Sequence, residues 1–176
     1  VAAQGMPAIA MTDHGNVFGA FEFYKAAKSV GVKPIIGIEA YVAPESRFDK
    51  KRVQWAAGGE DDVSGGGAYT HMTILAENNE GLANLFRLSS LASLEGFYYK
   101  PRMDRELLAK YSKGLIATTG CPGGEIQTRL RMGSYKEAIK AASDYRDIFG
   151  AENFYLEIMD HGIDIETRVK QDLLKL

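Results

Sequence analysis

The sequence predicts a single α/β domain. Short runs rich in apolar and β-branched residues alternate with longer segments of helical period, at spacings that leave room for a crossover helix between strands. The chain has 176 residues, 45% hydrophobic and 25% charged, enough to build one core in one domain of ordinary size. This alternation points to parallel strands in either an open doubly wound sheet or a barrel, and it does not choose between them.

Five strands are predicted in order: residues 7–12 (PAIAMT), 34–42 (PIIGIEAYV), 70–76 (THMTILA), 115–119 (LIATT) and 154–158 (FYLEI). A helix is expected over 17–30, with Phe18, Phe21, Tyr24 and Ala26 or Ala27 on one face and Gly31 as its stop. Further helices are expected over 79–93, over 104–111 with Asp104 as N-cap, over 124–132, over 135–149 and from 165 onward. One segment breaks the rhythm. Residues 44–68 carry Gly58, Gly59, Gly65, Gly66 and Gly67 among mixed charges and read as a long functional or mobile loop.

Lys and Arg (21) nearly balance Asp and Glu (23), and the formal charge of −2 gives no general attraction to nucleic acid or an anionic membrane. Nucleic-acid binding then requires a local patch. The single cysteine, Cys121, has no internal disulfide partner, and the N-terminal stretch holds Asp13 and His14 where a signal segment would be basic and then apolar. A reducing cytoplasm is the expected setting. No apolar run approaches the roughly 18 residues of a membrane span. The sequence starts at Val1 without Met and stops at Leu176 inside a helical pattern, so the chain is expected to be a piece of something longer.

Strand C-terminal ends carry the chemistry in parallel α/β folds. The first strand runs into Asp13, His14 and Gly15, and the second holds Glu39 in an otherwise apolar run, where a carboxylate needs a partner such as a metal ion. The fourth ends in a glycine-rich turn with Cys121 that opens a helix and offers backbone N–H groups to a phosphate. His71 is expected near the start of its strand, away from these ends unless it arrives by another route. If it does arrive, His14, Glu39, His71 and Cys121 form a mixed N, O and S set suited to zinc, or to manganese or iron where carboxylate and imidazole dominate.

Each of these residues also has a structural reading. Cys121 fits a buried small hydrophobe, His14 a helix cap and Glu39 a partner for a core Arg or Lys. Asp160-His161-Gly162 repeats the setting of His14, but a turn with a structural hydrogen bond is favoured there. Two basic segments are candidates for the local patch: Lys50-Lys51-Arg52, and the aromatic–cationic run Phe97-Tyr98-Tyr99-Lys100-Pro101-Arg102. Aromatic faces stack bases while Lys and Arg neutralise phosphates. The alternative is a packed aromatic loop with solvated charges. Arg129 and Arg131 read equally as phosphate ligands or a solvated helix face.

The segments Met11 to Asn16, Lys33 to Val42, Tyr69 to Thr73, Glu95 to Arg102 and Thr119 to Glu125, taken in this order, resemble the polymerase and histidinol phosphatase (PHP) domain. The resemblance covers essentially the whole chain. It is to the branch carried at the N-terminus of the α subunit of bacterial replicative DNA polymerases, and the insertion over 46–67 looks most like actinobacterial members. It implies a distorted seven-stranded (β/α) barrel, of which the chain is the central part, with the polymerase domains outside it. It also implies a cluster of divalent metal ions with His14, Glu39, His71 and Cys121 among the ligands. The first His-x-His motif and the final Asp-x-His motif would lie before Val1 and after Leu176.

Members with an intact cluster are similar to metal-dependent 3′-5′ proofreading exonucleases that hydrolyse phosphodiesters. Members with degenerate ligands keep the fold as a structural, partner-docking platform, and a third branch is the histidinol-phosphate type of phosphatase. For the polymerase branch the implied partners are DNA primer-template, the sliding clamp and other replisome subunits. Tyr98, Tyr99, Lys100 and Arg102 are candidates to guide the primer end on their chemistry alone.

Overall fold

The computed structural model describes residues 1–54 and 65–176. Residues 55–64 of the glycine-rich insertion, Gly58 and Gly59 among them, lie outside the described residues. The elements alternate as β1 (Ala8–His14), α1 (Ala20–Ser29), β2 (Lys33–Val42), β3 (Thr70–Ala76), α2 (Asn79–Leu94), β4 (Arg102–Met103) and α3 (Arg105–Lys110). They continue as β5 (Leu115–Thr118), α4 (Glu125–Arg131), α5 (Tyr135–Phe149), β6 (Phe154–Tyr155) and α6 (Asp164–Lys175). The described residues form a six-stranded sheet in the order β1-β2-β3-β5-β6, with β4 pairing to β2.

The α/β class is as expected, but the sheet is mixed. β1 and β4 run parallel to β2, and β6 runs parallel to β5, whereas β3 is antiparallel to both β2 and β5. Parallel neighbours need a crossover, usually a helix. No helical period lies between β2 and β3, so the chain returns along the adjacent strand in the opposite sense. β4 was not predicted. It occupies the same edge of β2 as β1, beyond the end of β1, because β1 pairs with Lys33 to Glu39 and β4 with Tyr41 and Val42. The last strand is only Phe154–Tyr155, shorter than predicted.

The alternation of β2 and β3 separates two faces. Ile38, Ala40, Val42, Met72 and Ile74 face the helices and are almost fully buried. Leu85, Leu88 and Ala92 of α2, at i, i+3 and i+7, close that side as one stripe. Truncating a fully buried leucine such as Leu85 to Ala costs about 2–5 kcal/mol, transfer and cavity terms together. α2 starts where the Asn78 side chain accepts the Gly81 N–H at 3.0 Å, and α3 where Asp104 accepts the Leu107 N–H at 2.9 Å, as its N-cap prediction requires. α5 lays Ala138, Ala141, Ala142, Tyr145 and Phe149 against the same core.

α1 is shorter than predicted and packs differently. Ala27 is its buried residue, while Phe21 and Tyr24, and Phe18 just before the helix, face outward. The opposite face of the sheet carries Gly37, Glu39 and Tyr41 from β2, His71, Thr73 and Leu75 from β3, and Thr118 from β5, since register partners share a face. No helix is long and apolar enough to cross a membrane among the described residues.

Candidate metal centre

Four sequence-predicted residues meet on this second face. His14 ends β1 directly opposite Glu39 in the parallel β1–β2 pair. The chain then has to turn at once, and Gly15 does so at φ 68°, a left-handed conformation that suits glycine. A Cβ on Gly15 would also stand 2.8 Å from the Tyr41 ring and 2.9 Å from Pro101. The Gly15 N–H donates to the Glu39 carbonyl at 2.9 Å, tying the turn to β2. Asp13 of the same segment serves the fold, accepting the Gly19 N–H at 2.8 Å where α1 begins.

The antiparallel run of β3 solves the position of His71. A residue near the start of an antiparallel strand lies beside the C-terminal ends of its parallel neighbours, and His71 pairs with Tyr41, two residues beyond Glu39. The Glu39 carboxylate then bridges two imidazoles: Oε2 is 3.2 Å from His14 Nε2 and Oε1 is 2.8 Å from His71 Nδ1. Cys121 Sγ completes the set at 3.3 Å from His71 Nδ1 and 3.5 Å from Glu39 Oε1. Ligand atoms of His14, Glu39 and His71 all lie within 4.8 Å of one another.

The partners of Glu39 are therefore imidazoles and a thiol, with neither Arg nor Lys on the carboxylate among the described residues. The hydrogen bond from His71 holds its carboxyl below the usual range against the opposing effect of burial, with His14 adding to the lowering. For His71, burial acts to lower the pKa, but the hydrogen bonds and charges of Cys121 and Glu39 outweigh it and bring the imidazole to about 9. His14, Glu39 and His71, with the Cys121 thiol beside them, bring together donor types and separations that can hold a metal ion.

An aromatic wall that sequence reasoning did not assign flanks the cluster on one side. The Tyr69 ring stacks on His71 at 5.8 Å between centroids, and Tyr41 meets His71 edge-on at 5.2 Å and Tyr69 at 4.8 Å. The signal for Tyr41 was its place two residues after Glu39 on one strand, which puts both on one face. Burial, reinforced by Tyr69 and Glu39, pushes the Tyr41 hydroxyl pKa up.

The glycine-rich turn around Cys121 is spent on building the site. Gly123 N–H points to Cys121 Sγ at 3.4 Å, Gly124 N–H donates to the Cys121 carbonyl at 2.8 Å, and the Gly123 carbonyl accepts from His71 N–H at 3.0 Å. The Gly123 and Gly124 N–H groups are thus taken up within the turn itself. Glu125, buried at the start of α4, is braced by Arg105 at 2.7 Å, Arg129 at 2.8 Å and the Tyr145 hydroxyl at 2.8 Å. Arg131 donates to the Pro122 carbonyl at 2.6 Å, so both arginines hold the turn.

The aromatic–cationic run divides. Arg102 is fully buried and donates to the carbonyls of Gly96, Ala68, Arg47 and Asp49 at 2.8–3.3 Å. This corrects the expectation that Arg102 contacts a primer: its guanidinium fastens the loop after β2 to β4. Arg47, equally unanticipated, is also buried: its Nη1 lies 3.0 Å from both carboxylate oxygens of Asp104, and its Nε donates to Glu95 Oε2 at 2.7 Å. Tyr99 and Lys100 stay exposed, and Tyr98 is half-buried over Arg102. At the far end, His161 Nδ1 lies 2.8 Å from Glu166, whose other oxygen accepts the His161 N–H at 2.7 Å. That is the structural turn favoured from sequence.

Residues 1–161 match the family model described as PHP domain. The chain is 64% identical over 180 residues to the DNA polymerase III subunit alpha of Saccharopolyspora erythraea, 58% over 175 residues to that of Mycobacterium tuberculosis and 50% over 167 residues to that of Thermus aquaticus. These alignments cover 95–98% of the chain and only 13–15% of each relative.

Proposed function

The chain belongs to the PHP domain family, and from that premise we propose that it is the central part of a metal-dependent phosphodiesterase domain in a bacterial replicative DNA polymerase. The domain removes the 3′ nucleotide of a primer by hydrolysis. The observation that carries this reading is the convergence of His14, Glu39, His71 and Cys121 from separate elements on one sheet face. On this reading the sheet continues into a closed, seven-stranded barrel. The His-x-His and Asp-x-His motifs that complete the ligand set, and the polymerase domains, lie in the longer protein.

A bound divalent cation, zinc first and manganese or iron as alternatives, supplies an activated water near neutral pH and neutralises charge on phosphate oxygens. The chain's own residues prepare for it. Glu39 orients both imidazoles through its two oxygens, and Cys121 would hold the cation through its sulfur as a thiolate. Tyr41 and Tyr69 wall one side of the cluster and hold the His71 ring in place. Tyr98, Tyr99 and Lys100 guide the primer end. Primer-template DNA, the sliding clamp and other replisome subunits are the proposed partners, and the cytoplasm the proposed location.

The test is excision of a mismatched 3′ nucleotide by the full-length protein that carries this chain, with polymerisation measured alongside. Excision should disappear with a chelator and return with zinc or manganese. Excision that survives chelation overturns the metal-dependent reading, and none at any metal overturns it in favour of a structural platform. Hydrolysis confined to small phosphomonoesters would instead favour a phosphatase.

A further inference from the structure

The backbone at Tyr99 is unusual. It has φ 61°, the single non-glycine residue with positive φ among the described residues, and such a conformation is costly for a bulky aromatic. The turn is tight: Tyr98 N–H donates to the Lys100 carbonyl at 3.1 Å, so Tyr99 stands at the apex with 58% of its surface exposed. Its ring is fixed from beneath. Tyr98 meets it edge-on at 4.6 Å and itself lies over the buried Arg102 guanidinium at 5.0 Å. From the side, the Arg52 guanidinium sits 5.0 Å from the Tyr99 ring centre.

Lys100 points the other way. Its ammonium lies 5.6 Å from the Tyr41 ring, which is 5.2 Å from the His71 ring and 6.1 Å from the His14 ring. The strained turn therefore sends an aromatic platform outward and a cation to the rim of the metal centre. The placement of β4 beyond the end of β1 delivers this turn to that rim.

We propose that Tyr99 and Lys100 form a landing site for the last nucleotide of a single nucleic-acid strand. Its base stacks on Tyr99 beside Arg52, and the phosphate on its 5′ side is held by Lys100 next to the cluster. This deepens the hydrolase reading and takes its substrate class from it. Stacking needs an unpaired base, so the site accepts a frayed end and leaves a paired one in the duplex.

The test is photocross-linking of the full-length protein to an oligodeoxynucleotide with 5-iododeoxyuridine at its 3′ end, in chelator and without metal, followed by mapping of the adduct. The adduct should fall on Tyr99 and vanish in Tyr99→Gly, a change that relieves the positive φ and so keeps the fold. Affinity for a short unlabelled single-stranded oligodeoxynucleotide, measured by equilibrium binding in chelator, should drop roughly 5- to 150-fold in Tyr99→Gly, the range expected for one base–aromatic stack. Lys100→Gln should reduce the salt slope of binding by about 0.7, one phosphate contact on a single strand. An adduct elsewhere, or an unchanged adduct yield with an abasic or base-paired 3′ end placed beside the label, overturns the proposal. A mapped adduct on Tyr99 without metal-dependent excision would sink the hydrolase reading and leave the landing site standing.

Discussion

His71 Nδ1 lies 2.8 Å from Glu39 Oε1, although the two residues are 32 positions apart and sit at opposite ends of their strands in sequence. The contact exists because β3 runs against β2. Its N-terminal end is thereby brought to the edge where β1 and β2 finish, and one carboxylate can serve His14 and His71 together. Cys121 then reaches the same oxygen of Glu39 from the turn after β5. Three strand ends and one strand start converge on one spot.

Loss of either outer donor should empty this spot. In the full-length protein, His14→Ala and Cys121→Ser should each weaken metal binding by at least the roughly 10–100-fold that loss of an outer-shell partner costs. Metal content by elemental analysis after dialysis checks this. Unchanged content in both variants would remove these residues from the ligand set.

Gly15→Ala should damage the centre without touching a ligand. The left-handed conformation costs about 1–2 kcal/mol for a residue with a Cβ, and the added carbon also stands 2.8 Å from the Tyr41 ring. Thermal unfolding should shift down and metal affinity should fall with it. A variant as stable and as metal-loaded as the parent would mean that the turn has slack the structure does not show.

Arg102 should behave as a structural residue. Arg102→Ala strands the carbonyls of Gly96 and Ala68, at roughly 1–3 kcal/mol for each acceptor that water does not reach. Arg102→Lys should recover little, since an ammonium lacks the planar fork that reaches several carbonyls at once. Denaturant melts of both variants measure this. A stable Arg102→Ala protein with a selective loss of DNA affinity would restore the primer-contact role.

The His161–Glu166 pair predicts a pH window. Glu166 raises the His161 pKa above its usual 6.5, so that contribution is complete below 6.5 and is lost as pH rises through the raised value. The His161 N–H, then its imidazole, lowers Glu166 below its usual 4.5, a contribution complete above 4.5 and lost as pH falls through the lowered value. The pair is fully effective between 4.5 and 6.5. Because His161 is exposed, the effect on stability is small and is better read by NMR titration of the imidazole. Glu166→Gln should return the midpoint toward 6.5; an unmoved midpoint would sink the assignment.

Much of the fold was legible because its signals are local. Strand alternation marked β2 and β3 to within a residue, the spacing of α5 matched 135–149, and Asp104 is the cap its side chain predicts. The directions of the strands were not legible in this way. A half-buried strand shows the same alternation whichever way it runs, and the only hint was the lack of a helical period between β2 and β3. The role of Arg102 was hidden for a related reason. Burial of a guanidinium depends on carbonyls from Ala68 and Asp49, which nothing near Arg102 in sequence announces.

The sequence by itself determined the α/β class, the donor types and the resemblance to the PHP domain, because each follows from residue chemistry or order along the chain. Tertiary structure decided which donors meet. An antiparallel strand brought His71 to the edge that local reasoning denied it, and a short β4 beyond β1 set Lys100 beside Tyr41 while burying Arg102. Side chains share a site according to how strands pair across the sheet, and that pairing is a long-range choice made by burial of the whole face rather than by any one segment.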